Sequence, residues 1–195
     1  MCKKPFGILR TRAVEFLAQV FTTFAKDIAD TFADAGVYDL LLFYFEHYPF
    51  HNILHAKVTE IFTVALDKNY EKTIDHLLYK TSLIKDILEI SKEQSQYVFQ
   101  GTGNKMSNGY MCFVRKLANK LVEMQKKNNE VNNCLESIPE WGEYFENDLK
   151  PMNLLESKPL ASDPRKKGGN NSDDDLDFFF KLKSFNPTKG KSGNS

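Results

Sequence analysis

The chain has no surplus of either charge: 26 lysines and arginines balance 26 aspartates and glutamates. That balance excludes a global field drawing it to nucleic acid or to an anionic membrane, and long-range steering of a charged partner with it. Cysteine is scarce. Cys2, Cys112 and Cys134 form no close pair and leave an odd number, which fits reduced thiols of the cytosol or nucleus rather than a disulfide framework. No apolar run reaches the roughly 18 residues of a membrane span, and the start, Met1-Cys2-Lys3-Lys4-Pro5, leads into an amphipathic segment, so a soluble chain is expected. Proline is absent from residues 50–138, which leaves that whole stretch free to be helical.

Apolar residues recur at helical spacing. Val14, Leu17, Ala18, Phe21 and Phe24 make one stripe; Val58, Ile61, Phe62 and Ala65 make a second, which Ile74, Leu77 and Leu78 continue. Ile84, Ile87 and Leu88 form a short stripe. Val114, Leu117, Ala118 and Leu121 form another, with Lys116, Lys120, Glu123 and Lys127 opposite, a side expected to face water. Breaks fall at Asp34-Ala35-Gly36, at Pro49, and in the stretch 101–109 with its three glycines. The spacing therefore predicts an all-α body of helices about 10 to 18 residues long. Pro139 suits a helix start, and Trp141, Tyr144, Phe145 and Leu149 then read as a helix closing the end of the array. Periodicity does not choose between a bundle and stacked helical repeats.

From residue 156 the composition shifts to proline, glycine, serine, asparagine and lysine, and the segment 156–195 is expected to be a disordered tail beyond a helical domain at 5–155. Ser172 precedes three aspartates, the pattern of an acidophilic phosphorylation site, and Phe178, Phe179 and Phe180 follow as an aromatic segment suited to a partner's groove.

Signatures of catalysis are missing. His47, His51 and His55 lie four apart, but Pro49 interrupts any helix joining the first two, and no glutamate or cysteine completes a metal shell nearby. The expected role of His55 is a partly buried imidazole bonded to a neighbouring helix. No Gly-x-Ser-x-Gly turn occurs, and Asp75-His76 are helix neighbours that diverge by about 100° rather than an oriented dyad. Gly101-Thr102-Gly103-Asn104-Lys105 lacks the Gly-Lys-Ser/Thr ending of a phosphate loop and reads as a connection. Arg115, Lys116, Lys120, Lys126 and Lys127 are interleaved with Glu123 and Glu130, a solvated face rather than a nucleic-acid footprint. The chain reads as a binder, with no catalytic, cofactor or metal residue assigned.

Three separated stretches carry a more specific signal: Pro5-Phe6-Gly7 with Arg10, Val14 and Glu15; Asn52-Ile53-Leu54-His55 with Val58; and Gly109-Tyr110-Met111 followed by Leu117-Ala118-Asn119. In this order they resemble the SAPS family of Sit4-associated, phosphatase 6 regulatory subunits. Cys112-Phe113 stands where family members show Gly-His, and Thr59 where they show glutamate. The resemblance covers about residues 5 to 150, the C-terminal part of the family's domain. It implies an irregular HEAT- or armadillo-like helical solenoid that binds a Sit4 or phosphatase 6 type catalytic subunit and contributes no catalytic residue itself. The alternative is a helical interaction module without phosphatase binding. An array cut at this point is expected to expose Val14, Leu17 and Phe21 on its first helix.

Overall fold

The described residues are almost entirely helical. The computed structural model describes residues 5–92, 97–98, 105–106 and 109–157; the only strands among them are two residues each, with Tyr97 opposite Met106 and Val98 opposite Lys105 in an antiparallel ladder. The chain divides into two compact units, Met1–Leu155 and Glu156–Ser195, and the first holds the helical body. The tail expected beyond it, with Ser172 and Phe178 to Phe180, lies outside the described residues, as does most of the glycine stretch 101–109.

Helix α1 spans Ile8–Asp34, longer than the periodicity suggests, because only a kink at Phe24 (φ −121°, ψ 29°) interrupts it. Its buried row is Val14, Ala18, Phe21, Ala25, Ala29 and Phe32. Phe24, expected in that row, is exposed instead, and Ala25 takes its place. Val14 and Phe21 are buried, contrary to the exposed face expected of a cut array, because α2 and α3 of the same chain cover them. The helix ends at Gly36, whose φ of 65° lies in the left-handed region that favours glycine, and α2 (Val37–His47) starts there.

Pro49 separates α2 from α3 (Asn52–Lys68), which ends at Asn69 in the left-handed conformation (φ 53°). Helix α4 (Glu71–Asp75) runs into a π-helical turn, His76–Lys80, and α5 follows at Leu83–Lys92. Then come α6 (Met111–Gln125), α7 (Asn129–Glu136) and α8 (Pro139–Tyr144), with Pro139 in the first turn, where its missing N–H costs no helical bond. A second π turn, Phe145–Leu149, leads into α9 (Lys150–Ser157). It ends two residues before Pro151, whose ring and missing N–H cannot continue regular i→i−4 bonding.

Helices α1, α3 and α6 lie side by side and run the same way. Near their starts Thr11 of α1 meets His51 just before α3, and a Cβ on Gly109 just before α6 would meet Asn52 of α3. Near their ends Asp30 and Asp34 of α1 bond Thr73 and Lys72 just beyond α3, and Asp67 of α3 pairs with Lys120 of α6. Helix α2 packs on α1 and α3, and α5 packs on α6 and α8. Two layers result, with one core between them that includes the expected stripe residues Val58, Ile61, Phe62, Ala65, Val114, Leu117, Ala118 and Leu121. Trp141, Tyr144 and Leu149 are buried at the far end, as a closing helix requires.

The charged side of α6 is less solvated than its pattern implies. Lys120 is held between Asp67 of the neighbouring helix and Glu123 one turn on, with a side chain only 10% exposed. Its methylene stem lies along the α3–α6 seam while the ammonium reaches out to the two carboxylates. Glu123, bonded to Lys120 and Lys127, is held down at about 2 by those two ammonium groups.

Asn128 ties the far end of α3 to the start of α7. Its side-chain oxygen caps α7 by accepting from the Glu130 and Val131 N–H groups, at 2.7 and 3.3 Å, while its amide donates to Asn69 at 2.6 Å. Asn128→Ala is expected to cost about 1 kcal/mol, the usual loss for an N-cap, measured as a shift of the urea midpoint without a change in slope.

Candidate functional site

Because α1, α3 and α6 are parallel and adjacent, their N-termini form one edge of the body. The three sequence motifs begin at those three N-termini. Segments more than forty residues apart in the chain therefore meet.

Phe6 is buried at this edge, edge-on to Tyr44, Tyr48 and His51 with ring centroids 5.0–5.2 Å apart. Edge-to-face geometry sets the positive rim of one ring against the negative face of another. Gly7 follows at φ 82°, a conformation a side chain resists, and its carbonyl accepts from the Thr11 N–H at 3.2 Å and the Thr11 hydroxyl at 3.0 Å. His51 caps α3: its Nδ1 accepts from the Leu54 N–H at 3.1 Å, so the ring proton sits on Nε2, which donates to Thr11 Oγ1 at 3.1 Å. One line of bonds thus runs from α3 through His51 and Thr11 to the Gly7 turn. Arg10 reaches the Tyr48 hydroxyl at 3.4 Å.

His55, one turn into α3, is entirely buried. Its Nε2 lies 2.9 Å from the Phe45 carbonyl in the last turn of α2, which fixes it as the donor nitrogen. The partner of that carbonyl four residues on would be Pro49, which has no N–H. His55 fills that gap. Phe45 stands edge-on to the imidazole at 4.6 Å, and Tyr110 of the third motif stacks on it at 5.0 Å. Burial, with the nearby His51 adding to it, pushes the imidazole down to about 4, so it is neutral at physiological pH. Nδ1 has no hydrogen-bond partner.

His51 spends both nitrogens on the protein, and His47 is turned onto Phe43 at 5.2 Å. Among the described residues no group of three His, Cys, Asp or Glu side chains is arranged to hold a metal. Asp75 and His76 point to different partners, Lys80 and Asp39. No helix of the described residues is long and apolar enough to cross a membrane.

What the edge offers is surface. Ile8, Leu9, Phe50 and Ile53 emerge exposed from the turns that the buried rings pin down. Exposed apolar side chains at one edge are a feature of interaction surfaces. Sequence reasoning singled out Phe6, Arg10 and His55 through their motifs but missed Tyr44, Tyr48 and the exposed Phe50. The available signal was the aromatic density of 43–50 on both sides of a proline.

On the opposite seam of α6, Asn119 of the third motif pairs with Asn153 of α9 by two reciprocal amide bonds of 2.9 and 2.7 Å. That double bond orients the C-terminal helix on the third motif.

The model of one family, the SIT4 phosphatase-associated proteins (SAPS), matches residues 27–158, which include the second and third motifs and leave the first outside. The chain is 26% identical over 201 aligned positions to mouse serine/threonine-protein phosphatase 6 regulatory subunit 1, covering 93% of this chain but 22% of that protein. The chain thus spans about a fifth of the length of that relative. No solved structure matches it. With most of the chain matched and the motifs assembled on one edge of an all-helical body, the protein belongs to the SAPS family.

Proposed function

We propose that the chain is a non-catalytic regulatory and scaffold subunit. It binds the catalytic subunit of a Sit4 or phosphatase 6 type serine/threonine phosphatase in the cytoplasm or nucleus and directs it to substrates. The observation that carries this reading is the family match over 27–158 together with the convergence of the motifs on one edge. In this reading the two helical layers belong to a HEAT- or armadillo-like stack whose stiffness holds Ile8, Leu9, Phe50 and Ile53 at fixed positions, and preorganisation of that kind lowers the entropic cost of binding.

Affinity purification followed by mass spectrometry tests it. A phosphatase 6 type catalytic subunit is expected to copurify, and Ile8→Asp with Ile53→Asp is expected to cut its recovery at least tenfold while leaving thermal stability unchanged, since both side chains are exposed. Recovery unaffected by the double substitution would remove the edge from the contact. Cys112-Phe113 in place of Gly-His favours a second reading: a helical interaction module without phosphatase binding. Capture of other proteins with no phosphatase would establish it.

A further inference from the structure

We draw no further inference here: the strongest candidate, the exposed apolar row Leu9, Phe16 and Phe24 on the outer face of α1, is an unpartnered surface patch, and nothing in the structure shows what covers it.

Discussion

Between pH 6.5 and pH 4 the folded state is expected to lose on the order of 3 kcal/mol through His55 alone, since its imidazole is pushed from 6.5 down to about 4 by burial. The unfolded chain takes up a proton once the pH falls below 6.5; the folded chain does so only near 4. Protons therefore favour the unfolded state throughout that window, so the stability is complete above 6.5, declines as the pH drops, and levels off below 4. Charging the ring also sets a cation between Phe45 and Tyr110, cut off from water, with only the Phe45 carbonyl to solvate it. Other groups act differently. Asp86 and Asp148 are raised by burial and oppose the trend slightly near the carboxylate range, whereas Glu123, held at about 2, loses its contribution only below 4.5. Urea midpoints at pH 7, 5.5 and 4.5 separate these windows. His55→Gln keeps an amide donor for the Phe45 carbonyl but does not titrate, so it should start less stable and show a much flatter profile. An equal decline in both proteins would mean that the acid sensitivity lies elsewhere.

That His55 matters was legible in part. Its motif marked it, a bond to a neighbouring helix was expected of it, and Pro49 four residues beyond Phe45 announces a carbonyl without its usual donor; what no spacing reveals is that the ring is entirely rather than partly buried and that Tyr110, fifty-five residues on, closes over it. The α6 stripe was fully legible because Val114, Leu117, Ala118 and Leu121 differ sharply from the lysines opposite. In α1 the pattern misled. Two apolar rows compete there, and size favoured Phe24 over Ala25, but α1 packs chiefly on α3 and buries Ala18, Ala25, Ala29 and Ala33, small residues that let two helices approach closely. Lys120 went astray for a related reason: its partner Asp67 stands on another helix, which local charge patterning does not see. The three motifs were visible as sequence, but their meeting on one edge follows only from the parallel run of α1, α3 and α6.

Whether that edge stays assembled depends on the core behind it, and Tyr38→Ala is the substitution expected to disturb it most. Tyr38 is fully buried, with Phe62 at 5.5 Å, Phe32 at 6.1 Å and Phe21 at 6.2 Å around it, so one ring joins α1, α2 and α3. Its hydroxyl donates to the Ala29 carbonyl at 3.3 Å, and burial raises its pKa far enough that it remains a donor at any working pH. Truncation to alanine leaves a cavity bounded by aromatic rings that cannot collapse into it, an expected cost of about 3 to 5 kcal/mol. Against a total stability of about 5 to 15 kcal/mol, that is a fifth or more, and it should lower the melting temperature by roughly 10 °C. Tyr38→Phe removes only the hydroxyl and should cost about 1 kcal/mol, because the Ala29 carbonyl lies within a helix and keeps its backbone bond. A loss below about 1.5 kcal/mol for Tyr38→Ala would show that the ring does not clamp the three helices. The functional consequence is separable from surface contact: Tyr38→Ala should weaken partner binding together with thermal stability, whereas Ile8→Asp with Ile53→Asp should weaken binding and leave the melting temperature where it is. If both lower stability equally, the exposed residues are part of the frame and not of what it presents.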